Sequence, residues 1–123
     1  MCSSDLVNGL FAKYKTAIAA LRQAYPNVVF AHVTVPLETT GPEYNAKRHA
    51  FSNLLRQEYG GKDFILDLVD IESDGTRCKA GGSPKLCDGY SSDGGHLNDT
   101  GAERVAKGMI MMLARMLSGH VLP

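Results

Sequence analysis

Residues 28–35 read Val-Val-Phe-Ala-His-Val-Thr-Val, a run of strand length, rich in β-branched residues and without clean polar alternation. Such a strand is buried on both faces of a parallel sheet. Parallel pairing needs crossover helices, so the flanking segments decide the matter. Upstream, Val7, Leu10, Phe11, Tyr14, Ile18, Leu21 and Tyr25 recur at steps of three and four, the apolar stripe of a core-facing helix over residues 7–25. Asp5 can cap its start and Pro26-Asn27 ends it. Downstream, Pro36 closes the strand and residues 37–42 form a turn-rich loop. His32, inside the strand, reads as a hydrogen-bonded core histidine rather than a ligand.

A second helix is expected over residues 44–59, with Ala50, Phe51, Leu54, Leu55 and Tyr59 on one side and Gly60-Gly61 as its stop. A second strand follows at 64–71, where Asp67 needs a partner if buried. Residues 72–97 make a long connection, and connections of that length serve function or stay disordered. The last helix opens with Thr100-Gly-Ala-Glu103, a capping-box pattern, with Asp99 at the favourable end of the dipole. Ala102, Val105, Ala106, Met109, Met112, Leu113, Met116 and Leu117 give it a broad apolar face. Its methionines, Met111 included, read as core filling rather than as an adaptable binding surface. Ser118-Gly119 stops the helix, and His120 beyond it is expected to be solvated. Helices alternating with strands define an α/β chain with right-handed crossovers.

The chain has 123 residues, enough for one small domain. Lys+Arg and Asp+Glu balance at 13 each, which argues against a nucleic-acid or anionic-membrane partner, since both need a basic surface. No apolar run approaches the roughly 18 residues of a membrane span. The start lacks the basic and apolar pattern of a signal peptide, so the chain is either cytosolic or without its export signal. Met-Cys-Ser-Ser-Asp-Leu at 1–6 matches what a sequencing-adaptor tail would encode. Residues 1–6 are therefore expected to be a non-native or disordered tail, and 7–119 the domain.

Cys78 and Cys87 flank a Gly/Pro/Lys loop, and a disulfide there would stabilise by about 2–3 kcal/mol on the chain-entropy model. Zinc is the rival, without C-x-x-C or paired-His spacing to support it. Cys2 is expected to be a free thiol. Asp70-Ile-Glu-Ser-Asp-Gly75 is a poor calcium loop, because Glu72 replaces Asp/Asn and Gly81 stands where Glu should. The richest stretch is 90–103, where Asp93 precedes His96 by three residues with Gly94 and Gly95 between. The glycines let the chain turn back, so the carboxylate can reach one ring nitrogen and leave the other facing outward. That is the Asp–His half of an acyl-transfer triad; a solvated turn is the alternative reading. A metal site on Asp93, His96 and a cysteine lacks recognised ligand spacing.

Several segments together resemble the C-terminal half of SGNH hydrolases, the GDSL-type esterase and lipase family. They are His-Val-Thr-Val-Pro-Leu at 32–37, residues 45–56 with Phe51 and Leu55, Phe-Ile-Leu-Asp-Leu at 64–68, and Ser-Asp-Gly-Gly-His-Leu-Asn at 92–98 followed by Gly101. The resemblance implies a three-layer α/β/α, flavodoxin-like fragment, with about two parallel strands and three main helices. It implies His96 as catalytic general base and acid, Asp93 as its orienter, carboxylic esters as substrates and no cofactor. The family's Gly-Asp-Ser nucleophile block and its oxyanion blocks with Gly and Asn have no counterpart here. Roughly the first two or three strands of a five-stranded sheet are missing by this register. The nucleophile is therefore unknown, with Cys2, Ser3, Ser4, Ser91 and Ser92 as the pool, and little activity is expected of the chain alone. An active esterase with a nucleophile from a partner copy or a nearby Ser or Cys is one rival; a non-catalytic association module is the other. The 28–35 strand would lack a neighbour, and an open apolar edge recruits another chain, so a homodimer through that edge, or one that exchanges elements, is expected.

Overall fold

The computed structural model describes residues 3–119. In chain order it holds α1 (Ser3–Ala24), β1 (Ala31–Val33), α2 (Pro42–Tyr59), β2 (Phe64–Leu66) and α3 (Leu68–Glu72). A ribbon of β3 (Lys79–Ala80) and β4 (Ser83–Pro84), a 3-10 turn at Asp88–Tyr90 and α4 (Asp99–Ser118) follow. β1 and β2 pair in parallel, with Ala31 opposite Phe64 and Val33 opposite Leu66; β3 and β4 pair antiparallel. The chain is mixed α/β.

Alternation along the strands sorts side chains between two faces. His32 and Ile65 point to one face, where Ile65 packs with Phe11, Leu55 and Tyr59 of α1 and α2. Phe64 and Leu66 point to the other, against Met112 and Met116 of α4. A third cluster, Leu37, Val69 and Leu86 with Tyr90 and Leu97, lies under the long connection.

Both strands are shorter than their apolar runs. Val28 and Val29 are exposed and pair with nothing in the sheet, so the ladder begins at Ala31. The expected strand over 64–71 stops at Leu66 because Asp67 caps α3, accepting from the Asp70 N–H at 3.2 Å. Asp67 also finds its partners: Arg56 donates to both its oxygens at 2.7 and 2.8 Å, and the Thr34 hydroxyl at 3.1 Å. Burial pushes the Asp67 carboxyl up, but Arg56, the Asp70 N–H and Thr34 outweigh it and leave the group below its ordinary value.

Other boundaries also differ. α1 begins at Ser3, so residues 3–6 are helical and Asp5 sits in the first turn rather than before it. Residues 72–97 are not structureless, since they contain the β3–β4 ribbon and the 3-10 turn. The cap of α4 is Asn98, not Thr100: its extended backbone aims Oδ1 at the Gly101 N–H, 3.0 Å away, while Glu103 pairs with Lys107 instead. Met112 and Met116 fill the core, but Met109 and Met111 are exposed, so the four methionines divide between two roles. Cys2 and His120 lie outside the described residues.

His32 is 2 % exposed and fully partnered. The Tyr14 hydroxyl donates to Nδ1 at 2.5 Å, and Nε2 donates to Asp63 at 2.8 Å. Arg22 closes the chain by pairing with Asp63, and the Tyr59 ring stacks on the imidazole at 4.0 Å. The Asp63 carboxylate fixes the proton on Nε2, and in the neutral ring Nδ1 is then the acceptor for the Tyr14 hydroxyl. Burial first, then Arg22, lowers the His32 pKa to about 4. A histidine neutral in the fold but charged when unfolded loses stability as pH falls from about 6.5 to about 4, by up to about 3 kcal/mol. Denaturant unfolding across that window should show this fall, and the difference between wild type and His32→Gln isolates it. A pH-independent difference would contradict the neutral assignment.

Candidate active site

The loop that carries Asp93 and His96 is closed at its base. The Asn98 N–H donates to Tyr90 O at 2.8 Å, its side chain donates to Gly89 O at 3.0 Å, and Ser91 bridges Leu97. Inside the loop, the Ser91 hydroxyl donates to His96 O at 2.6 Å and accepts from the Gly94 N–H at 2.9 Å. Oδ1 of Asp93 accepts the Gly95 and His96 N–H groups at 2.9 and 2.8 Å, an Asx-type turn that fixes the carboxylate. The other oxygen, Oδ2, then receives Nδ1–H of His96 at 2.7 Å.

The turn needs Gly94, whose φ is 93° and whose missing Cβ would lie 3.0 Å from Thr39 Oγ1. Its carbonyl accepts the Thr39 N–H at 2.9 Å, which fastens the dyad loop to the loop leaving β1. That second loop is itself held. Leu37 N–H donates to Glu72 Oε2 at 2.6 Å, and the Asn45 amide clamps both main-chain groups of Glu38, at 3.1 and 2.8 Å. Leu86 N–H donates to Glu38 O at 3.0 Å. Burial raises the Glu72 carboxyl, opposed by the Leu37 N–H and by Arg48. Asn45, Glu72 and Thr39 thus support the site, although the sequence reading gave them no such role. No sequence signal marked them: Asn45 and Glu72 each stand among other polar residues, and their burial follows only from the packing of the elements.

The dyad therefore sits beyond the carboxyl end of β1, where ligand sites of parallel sheets form. The His96 side chain is 89 % exposed and that of Asp93 58 %, so Nε2, with Nδ1 committed to Asp93, faces solvent. The backbone N–H groups of His96 and Gly95, and then the imidazole, hold the Asp93 carboxyl well below the usual carboxylate range. Around the dyad the surface is open. Four hollows of 260 to 520 Å³ lie elsewhere, and neither Asp93 nor His96 lines any of them.

Of the candidate nucleophiles, Ser91 is committed to holding the loop and Ser92 is exposed beside Asp93. Cys78 and Cys87 are joined in a disulfide, with Cα atoms 5.3 Å apart, and Cys87 leads directly into the 3-10 turn before the dyad. Cys2 is outside the described residues, and Ser3 and Ser4 open α1. Among the described residues no group of three His, Cys, Asp or Glu converges as a metal site, and no helix is long and apolar enough to cross a membrane.

Comparison with protein-family models, with curated proteins and with solved structures found no match. The functional reading therefore rests on the residues and their geometry.

Carboxyl-detected NMR should find Asp93 titrating below ordinary aspartates. In His96→Ala it should rise only in part, because the Gly95 and residue-96 N–H donors remain. A return to the ordinary value in that variant would show that the turn does not hold the carboxylate.

Proposed function

We propose that this chain is an SGNH/GDSL-type ester-hydrolase module that carries the proton-handling pair of a Ser-His-Asp triad without the nucleophile and oxyanion blocks. The observation that carries the proposal is the 2.7 Å Asp93–His96 bond with the opposite ring nitrogen facing solvent. In such an arrangement Nε2 takes the proton of an attacking hydroxyl and later returns it to the departing alcohol. Asp93 holds the tautomer and stabilises the imidazolium. The ionised form of Asp93 suits that role. Carboxylic esters are the substrate class, and the chemistry calls for no metal or cofactor.

Losing a nucleophile costs about 10⁶ in kcat in subtilisin, where the residual rate comes from an oxyanion hole. Within the 123 residues neither a Gly-Asp-Ser nor a Gly-x-Asn-Asp occurs. The chain alone should therefore hydrolyse p-nitrophenyl acetate no faster than its His96→Ala variant. Fusion behind a Gly-Asp-Ser-bearing segment of an SGNH hydrolase should generate turnover that His96→Ala abolishes. Robust turnover by the unfused chain, lost in His96→Ala, would instead favour the rival in which a partner copy or a nearby Ser or Cys attacks. A fusion that stays inactive with the dyad intact would favour a non-catalytic module.

Association is the second part of the proposal, favoured by the outer side of β1. In a parallel ladder alternate residues turn their main-chain groups outward. Phe30 and Thr34 bond toward β2, so those of Ala31 and Val33 face away from it. Val28, Val29 and Val33, in and just before this strand, are exposed. α4 adds to it: Arg115 and Gly108 line hollows on the β2 and α3 flank, whereas Met109 and Leu113, about 100° and more around the helix, are exposed on the other. A homodimer joining two 28–35 edges would cover both. Light scattering at micromolar concentration should give twice the chain mass, and Val33→Lys should return it to one; a wild-type monomer would contradict the dimer.

A further inference from the structure

Cys78 and Cys87 bracket the β3–β4 ribbon, and both hang from the end of α3 by their main chains. The Cys78 N–H donates to Ser73 O and the Cys87 N–H to Glu72 O, each at 2.9 Å. The disulfide closes that arrangement covalently. Within itself the ribbon has a ladder of two residue pairs and the bond from the Lys85 N–H to Cys78 O, and so short a pairing is marginal alone.

The chain is sensitive on both sides of this bond. Before it, Asp74, Gly75 and Thr76 are all left-handed, with φ of 53°, 66° and 66°. For a β-branched threonine that conformation is strained, and it persists only where neighbours hold it. The Thr76 N–H bond to Ser73 Oγ at 3.0 Å and the Cys78 N–H bond to Ser73 O hold it here. After it, the Leu86 N–H ties to Glu38 O, the Tyr90 N–H returns to Cys87 O, and Tyr90 O accepts the Asn98 N–H that closes the loop of Asp93 and His96. One reducible bond therefore lies between a strained turn and the base of the dyad loop.

We infer that the 78–87 disulfide is a redox-sensitive clasp on the dyad loop, opened by a dithiol reductant. Cys87 is buried and Cys78 half-buried, so Cys78 Sγ is the sulfur that an incoming thiolate reaches. A new S–S bond forms there, the Cys78–Cys87 bond breaks, and Cys87 leaves as a thiolate that takes a proton from water. The reductant's second thiol then displaces Cys78, which is protonated in turn; two electrons pass to the protein and the reductant departs as its own disulfide. With the clasp open, the 74–76 turn relaxes and residues 86–98 lose their fixed relation to the loop after β1. The inference rests on the main-chain contacts of this region and does not depend on the hydrolase reading.

Amide hydrogen exchange followed by NMR tests it, on the full chain carrying Cys2→Ser so that only this pair exchanges thiols. Dithiothreitol without denaturant should reduce the bond, seen as two alkylations in the intact mass. The Leu86, Thr39 and Asn98 amides, which bond to Glu38, Gly94 and Tyr90, should then exchange on the order of fiftyfold faster, the constraint of so short a closed loop expressed as a population. The Thr34 and Phe64 amides, which join β1 to β2, should keep their protection. Reoxidation should restore the first state, and a Cys78→Ser/Cys87→Ser chain should match the reduced one. Resistance of the bond to dithiothreitol would overturn the inference. Reduction that leaves Thr39 and Asn98 protected would overturn it by confining the effect to the ribbon, and reduction that also strips Thr34 and Phe64 would do so by making the bond a staple of the whole fold.

Discussion

The fold turns on the Asp67 carboxylate. One group ends β2, caps α3, accepts two hydrogen bonds from Arg56 of α2 and one from the Thr34 hydroxyl just after β1. Thr34 in turn accepts the Val69 N–H at 3.0 Å, so the return from strand to helix is fastened to its neighbour. A two-stranded sheet of three residue pairs has little cohesion of its own, since so short a ladder is marginal without packing on both faces. Polar contacts that cross between elements, half-buried at Arg56 and Asp67 and buried at Thr34, compensate. Arg56 holds the charge of Asp67 in place against the pull of burial, and removing either partner would leave the other uncompensated.

The same economy builds the site. Neither Asp93 nor His96 belongs to a regular element, yet their geometry is set by a chain of contacts that runs back to the core. Glu72 fixes Leu37, Asn45 fixes Glu38, and Thr39 reaches across to Gly94. Gly94 then turns the loop so that Asp93 meets the backbone before it meets the imidazole. The turn from Ser91 to His96 brings the pair together, the Thr39 contact fastens that turn to the fold, and the outward ring nitrogen faces solvent.

Much of this was legible in the residues, for physical reasons. Periodicity revealed α1, α2 and α4, because a long amphipathic helix repeats its signal several times. The Asp93–His96 pair could be read because all of its determinants lie within six residues, and the loop that presents it carries its own glycines. Strand lengths were misjudged because Val28, Val29 and the residues after Leu66 have strand composition but no partner to pair with. Asp67 and Asn98 were misassigned because a cap depends on backbone direction at one residue, which an apolar pattern does not encode. The support from Asn45, Glu72 and Thr39 spans up to 55 residues, as in the Thr39–Gly94 contact, and no local pattern announces it. The apolar flanks of α1 and α4 look like core in the sequence, and only the arrangement of elements shows that Leu10, Met109 and Leu113 face water.

On the proposed function, the chain keeps the group that moves the proton but not the atom that attacks. Labelling the purified protein with a fluorophosphonate, a probe that captures only an activated serine, and weighing the intact chain addresses that claim most directly. The mass should stay that of the unmodified protein. A stoichiometric phosphonyl adduct on one serine, absent in His96→Ala, would show an attacking atom already in place and would contradict it.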